Sequence, residues 1–262
     1  MPKRSIVALV LVAFSLMVVA PATAIVYGEP DDGRHPYVGA FVLEIDGEFR
    51  RICSGSLIST TVFLTAGHCT AAAEDILEPG EPVFVTFDDV VRQTSTFHSG
   101  TPHTHPEFGS GGNNDPHDIA VIVLDEPVTT QGLAELPEEN LLDDMKSELR
   151  DQTFTAVGYG TIRETRKKGP QNILPNLERR MALQSFNALN KAWLRLSMNE
   201  ATGDGGTCFG DSGGPHFLGG EESNLVVSIT VTGDAVCKAT DDTYRVDTQS
   251  ARDFLGDFVA LP

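Results

Sequence analysis

Basic side chains are few in this 262-residue chain: 19 Lys and Arg stand against 37 Asp and Glu, for a formal charge of −18. That shortage argues against nucleic acid and anionic lipid as partners, since both are held by clustered cations. Cysteine is scarce as well. Cys53, Cys69, Cys208 and Cys237 are the whole set; they include no Cys-x-x-Cys pair, which argues against a structural metal site. No Asn-x-Ser/Thr acceptor occurs, so N-glycosylation is not expected. Beyond the first two dozen residues, no apolar run approaches the roughly 20 residues that a membrane-spanning helix needs. No repeat of fixed period is present. What is there, 40% hydrophobic and 21% charged residues, is the composition of a folded soluble protein and too apolar for disorder.

Residues 1–24 read as a secretory signal peptide. Lys3 and Arg4 give the positive start, Ser5 to Ala20 the apolar stretch, and Ala22-Thr23-Ala24 the small residues at the cleavage point. Loss of Lys3 and Arg4 takes the charge from −18 to −20. The expected location is outside the cytoplasm, extracellular or periplasmic, with no membrane attachment after cleavage. Export changes the meaning of the four cysteines, because an even set in an oxidising compartment predicts disulfides. Four cysteines allow three pairings, and spacing alone leaves the choice open.

Short β-type runs recur between Gly, Pro and Asp/Asn clusters: Tyr37–Ile45, Ser56–Thr65, Pro82–Phe87, Ile119–Leu124, Thr153–Tyr159 and Leu225–Val231. Such spacing predicts an all-β barrel or sandwich. The end differs: Phe254, Leu255, Phe258 and Val259 fall at helical spacing behind Thr248 or Ser250 as cap, which predicts a closing helix. Gln131–Arg150 reads as an acidic connector with some helix in Asn140–Leu149. Arg163–Arg180, basic and interrupted by Gly169, Pro170 and Pro175, reads as an exposed loop.

The most informative stretch is Gly206-Thr207-Cys208-Phe209-Gly210-Asp211-Ser212-Gly213-Gly214-Pro215. Glycines around a serine let a substrate backbone approach closely, and backbone N–H groups of such a turn can converge on an oxyanion. A serine hydroxyl needs a base. Among seven histidines, His68 stands apart in Leu64-Thr65-Ala66-Gly67-His68-Cys69, at the end of an apolar strand and fixed beside a cysteine. The base needs an orienting carboxylate. Asp118 heads the apolar run Ile119–Leu124, where an acid is costly unless it is hydrogen-bonded. The stretch Phe97-His98…His103-Thr104-His105 reads as ordinary loop sequence rather than a ligand set, so no metal and no cofactor are expected.

Together these residues resemble the chymotrypsin/trypsin-like serine peptidases. Thr65-Ala66-Gly67-His68-Cys69, His117-Asp118-Ile119-Ala120 and Gly210-Asp211-Ser212-Gly213-Gly214-Pro215 are similar to the family's three catalytic motifs, in its order. Cys53-Ser54-Gly55-Ser56-Leu57-Ile58 resembles the strand before the histidine. Val157-Gly158-Tyr159-Gly160 resembles the family's Gly-Trp-Gly, with Tyr for Trp. The resemblance covers the mature chain. It implies two antiparallel β-barrels, about 25–135 and about 150–262, forming one peptidase domain over 25–262 with a C-terminal helix. It also selects the disulfides Cys53–Cys69 and Cys208–Cys237. The implied activity is that of an endopeptidase, with Ser212 as nucleophile, His68 as base, Asp118 as its orienting group, and the Gly210 and Ser212 N–H groups as oxyanion hole. Protein or peptide substrates and protein inhibitors are the implied partners, and a monomer is expected. The alternative, a non-catalytic protein-binding relative, is disfavoured because all three motifs stand.

By the same resemblance, a free Ile25 amine would pair with Asp211. Ile25-Val26-Tyr27-Gly28 follows Ala24 directly, so signal removal alone is expected to release it. The specificity pocket is expected at Gly206, Thr230 and Thr232, a set favouring small or medium apolar side chains. Asp242 opposes this, as an acid able to restore a basic preference, and Asp204 is a weaker acid of the same kind.

Overall fold

The computed structural model describes residues 25–163 and 173–262; the expected leader and the centre of the Arg163–Arg180 loop lie outside them. The first half contains β1 (Glu29–Pro30), β2 (Val38–Ile45), β3 (Glu48–Leu57), β4 (Val62–Thr65), α1 (Gly67–Ile76), β5 (Val83–Thr86), β6 (His98–Thr104) and β7 (Ala120–Leu124). Strands β2 to β7 close into an antiparallel barrel in the order β2-β3-β4-β7-β6-β5. Its interior is filled by large side chains such as Phe41, Leu43, Leu57, Phe63 and Ile122, all without exposed surface. The run Ser56–Thr65 is two strands rather than one. Ser59 Oγ accepts from the N–H groups of Thr61 and Val62 at 3.3 and 3.0 Å, so a serine-capped turn interrupts the extended chain.

The second half contains α2 (Leu141–Asp144), β8 (Thr153–Gly158), β9 (Ile162–Arg163), β10 (Ile173–Leu174), β11 (Arg180–Leu189), β12 (Trp193–Ser197), β13 (Pro215–Leu218), β14 (Val226–Gly233), β15 (Thr240–Arg245) and α3 (Gln249–Leu255). The ring runs β8-β11-β12-β15-β14-β13 and returns to β8, with β1 added outside on β11. The fold is therefore two antiparallel six-stranded barrels and a C-terminal helix. Thr248 caps α3, its Oγ1 accepting from Ala251 N at 3.3 Å. The helix expected in Asn140–Leu149 is only the single turn α2, followed by a 3-10 turn at Leu149–Asp151. The disulfides are Cys53–Cys69 and Cys208–Cys237, at separations of 16 and 29 residues; loops of that size stabilise by about 3–4 kcal/mol each. No helix among the described residues is long and apolar enough to cross a membrane.

Arg179 and Arg180 do not belong to an exposed loop, because both are buried. Arg179 Nε donates to Asp31 Oδ2 at 2.9 Å. Its Nη1 donates to the carbonyls of Val38 and Phe87 at 3.2 and 3.0 Å and to Tyr159 Oη at 3.1 Å, and its Nη2 to Asp89. One guanidinium thus ties the head of β11 in the second barrel to the N-terminal segment and to the first barrel. Asp31 also accepts from the His35 ring and from His35 N. Burial pushes the Asp31 carboxyl up, but the His35 bonds and the Arg179 charge outweigh it and hold the group down at about 2. A depressed carboxyl contributes stability above its unfolded value of about 3.9 and loses it as pH falls towards 2. Asp31→Asn should therefore cost about 2–3 kcal/mol at pH 7. That deficit should shrink towards pH 2, as measured by urea unfolding of both proteins across the range.

Candidate active site

Strands β4 and β7 pair antiparallel with Thr65 opposite Ala120. The residues just past the end of β4 therefore meet those just ahead of β7. His68 lies in the first turn of α1, and Asp118 lies before β7, buried. Asp118 Oδ1 accepts from His68 N at 2.8 Å, and Asp118 Oδ2 lies 2.9 Å from His68 Nδ1. An ionised carboxylate only accepts, so Nδ1 carries the proton and Nε2 presents its lone pair. Cys53, His68 and Cys69 bring three ligand-type atoms together. Both sulfurs are consumed by their disulfide, which leaves no thiolate for a metal.

Ser212 is carried by the loop between β12 and β13, and the first barrel holds that loop. Ser54 N donates to Ser212 O at 2.8 Å, and Ser54 Oγ donates to Gly210 O at 3.0 Å. Gly210 has φ +96°, a conformation glycine adopts without strain. Among the described residues, the N–H groups of Gly210 and Ser212 donate to no acceptor. Gly213 packs on Thr65 and Ala66, where an added methyl would overlap Thr65 Oγ1, which sets the serine loop against the strand end that leads to His68. No hydrogen bond joins Ser212 Oγ to His68; the contact of His68 Nε2 is Cys69 Sγ at 3.6 Å. Such bonds often tighten only when substrate is bound.

Asp211 is wholly buried. Its Oδ1 accepts from Gly160 N at 2.6 Å and its Oδ2 from Cys208 N at 2.8 Å. A methyl group on Gly160 would overlap this carboxyl, which accounts for a glycine at that position. Burial pushes the Asp211 carboxyl up to about 7, with the Asp241 charge adding to it, while the two N–H groups and the Arg51 charge pull it down. Ile25 and Val26 are also fully buried, and Gly206 N donates to Val26 O at 2.8 Å.

Arg51 was not legible as a site residue. Its guanidinium lies over Gly210, where an added methyl would collide with it. Burial lowers its pKa and the Asp211 charge raises it. In the sequence, Arg50-Arg51 reads as an ordinary charged pair on a half-exposed strand.

Beside Ser212 opens a recess of about 140 Å³ lined in part by Thr230 and Thr232. Asp242 does not face it. Asp242 pairs with Arg195 across the β12–β15 ladder, and strand alternation turns its neighbour Asp241 into the interior instead. Asp204 accepts from Ser185 Oγ and Thr202 Oγ1, each at 2.7 Å, and is likewise outside the recess. Gly206 lies under it, covered by Met198.

The trypsin family model matches residues 25–255. The chain is similar, at 27% identity over 221 residues, to "CLIP domain-containing serine protease B15" of Anopheles gambiae, covering 74% of this chain and 58% of that protein. It is 27% identical over 234 residues to "Lectizyme" of Glossina austeni, covering 84% and 80%. It is 25% identical over 214 residues to "Trypsin" of Saccharopolyspora erythraea, covering 78% and 84%. Among solved structures, "HL collagenase" shares the fold with a TM-score of 0.64 at 17% identity, covering 91% of this chain and 97% of that one.

The raised Asp211 carboxyl has a pH consequence wherever Ile25 is not a free amine. The folded state then keeps a proton that the unfolded state, with a carboxyl near 3.9, releases. A chain carrying extra residues ahead of Ile25 should therefore lose stability as pH rises from about 4 to about 7. Thermal unfolding against pH measures this, and a flat profile over that window would contradict the assignment.

Proposed function

We propose that this chain, which belongs to the trypsin family, is an exported serine endopeptidase that hydrolyses peptide bonds through an acyl-enzyme. The observation that carries the reading is the His68–Asp118 pair, with Nε2 free to accept, beside a serine loop whose Gly210 and Ser212 N–H groups are unpaired. Ser212 Oγ attacks the scissile carbonyl while His68 Nε2 takes its proton. Asp118 keeps the His68 tautomer and stabilises the imidazolium that forms. The two N–H groups receive the oxyanion. His68 then delivers its proton to the leaving amine, and water repeats the sequence on the acyl-enzyme. Substrates are proteins or peptides, and the enzyme acts as a monomer open to protein inhibitors.

Export is supported by the leader and by the two disulfides, which form and persist in oxidising compartments. Removal of residues 1–24 leaves Ile25 with a free ammonium. The buried Ile25-Val26 segment, bonded to Gly206, and the raised carboxyl of Asp211 support a pairing of that ammonium with Asp211.

A fluorophosphonate probe should label Ser212 in the native protein, and Ser212→Ala should abolish both labelling and peptidase activity. A labelled, active Ser212→Ala protein would refute the nucleophile. Asp118→Asn should lower kcat about 10⁴-fold, because the imidazole then presents the wrong tautomer, as read by steady-state kinetics on a peptide substrate. N-terminal sequencing of the secreted protein should begin at Ile25. Activity should fall on the alkaline side above the ordinary α-amine range of about 8, since pairing favours the charged form.

A further inference from the structure

Arg51 is a cation at the active site without a partner among the described residues. It lies on β3, two residues before Cys53, and is half-buried. Its Nη1 stands where a side chain on Gly210 would begin, so the guanidinium sits directly against the turn that carries the oxyanion donors. Its Nε is buried without a hydrogen-bond partner. Nη1 and Nη2 likewise hydrogen-bond to no described residue, but they keep contact with solvent. No described carboxylate lies within 4.0 Å of the group. Arg50 beside it pairs with Glu48, whereas Asp211, the acid that the Arg51 charge acts on, already accepts from Gly160 and Cys208. A guanidinium stays charged in proteins, and drawing it partly out of water without an acceptor costs free energy. The placement is built into the strand. Pairing with β2 matches Cys53 to Phe41 and Arg51 to Val42, which leaves Ile52 as an extra residue, and a bulge of this kind re-aims the side chain next to it.

This position selects the part of a substrate that meets Arg51. The recess beside Ser212 takes the side chain that precedes the scissile carbonyl, and Arg51 does not line it. On the Arg51 side stands the Cys53–Cys69 disulfide, and Cys69 Sγ is 3.6 Å from His68 Nε2, the atom that gives its proton to the leaving amine. The residues that follow the scissile bond therefore run over this side. We propose, resting on the serine-protease reading, that Arg51 binds an acidic side chain on the leaving-group side of the scissile bond, at the first or second residue after the cut. The two free Nη groups match the oxygens of a planar carboxylate, and the anion supplies the acceptors that the guanidinium lacks. Arg51 is thus a specificity residue of the leaving-group side.

Internally quenched peptides of the form Ala-Ala-Pro-X-Z-Z-Ala-amide test this. X is whichever of Ala, Leu, Phe and Lys is cut fastest. One Z at a time is Glu, Gln or Lys while the other is Ala, and mass spectrometry confirms the cut after X. In wild-type protein Glu should exceed its isostere Gln in kcat/KM by about 10-fold at one of the two positions. Arg51→Gln should bring that ratio to about 1, and Arg51→Glu should place Lys above Glu. Each ratio is taken within one variant, so a loss of activity common to all peptides cancels; should Arg51→Glu fail to fold, the Arg51→Gln ratio decides. A wild-type ratio near 1 at both positions overturns the role of Arg51. So does a ratio that Arg51→Gln leaves unchanged, because an arginine that only propped Gly210 would slow every peptide alike. Peptides shortened to end at the second Z, as free acid and as amide, separate a terminal carboxylate from a side-chain one: faster cleavage of the free acid with no advantage for Glu overturns the acidic side chain as ligand. Wild-type protein that does not react with a fluorophosphonate overturns the serine-protease reading, and this inference with it.

Discussion

The Arg179 guanidinium carries a full charge at 1% side-chain exposure, and the junction of the two barrels is arranged around it. Removing a cation from water costs several kcal/mol unless acceptors replace the solvent. Here they are five groups from four separate segments: Asp31, the Val38 carbonyl, the Phe87 carbonyl with Asp89, and the Tyr159 hydroxyl. Tyr159 passes the tie onward by donating to Asp88 O at 2.9 Å. His35 extends it on the other side, bonded to Asp31 and stacked on Phe217 of β13 with centroids 5.2 Å apart. The cleft is positioned by this clasp, because His68 and Asp118 stand on one barrel and Ser212 on the other.

Ser54 and Asp211 transmit that placement to the serine loop. Ser54 lies on β3, beside the disulfide that anchors the histidine turn, and it bonds the carbonyls of both Gly210 and Ser212. Its Oγ also accepts from Tyr159 N at 3.0 Å, so one hydroxyl links the clasp to the Ser212 loop. Asp211 holds the same loop from within the second barrel, through Gly160 and Cys208. The loop is thus held from both barrels, while the two N–H groups at its tip are left free.

Several sequence features acquire their physical reason only in this setting. Gly158-Tyr159-Gly160 is glycine on both sides because the Asp211 carboxyl lies against both. The tyrosine belongs to the clasp through its hydroxyl. His35 and His216 had no local context in the chain, yet each is fully buried and bonded. Their partners lie in segments that only the fold brings close, or, for Asp31, in a turn whose geometry the sequence does not reveal. The Asp241-Asp242 pair shows the limit of alignment: a strand sends adjacent side chains to opposite faces, so one residue of register separates the buried acid from the surface one.

The sequence by itself marked the candidate residues Ser212, His68 and Asp118 and the all-β class of the fold. Serine, histidine and aspartate each sit in a local string of glycines, cysteines and apolar strand ends; alternating β-runs separated by turn residues narrow the fold to a barrel or sandwich, and the resemblance carried by the three strings implied the two barrels. Those signals are short-range, so they can be read without the fold. Only the tertiary structure decided what lines and closes the site: Arg51 over Gly210, Met198 over Gly206, Asp241 inside and Asp242 outside, Arg179 buried rather than exposed. Each of these depends on contacts between residues far apart in the chain, on strand register, or on the desolvation of a charge, and none of the three leaves a mark in the order of the amino acids.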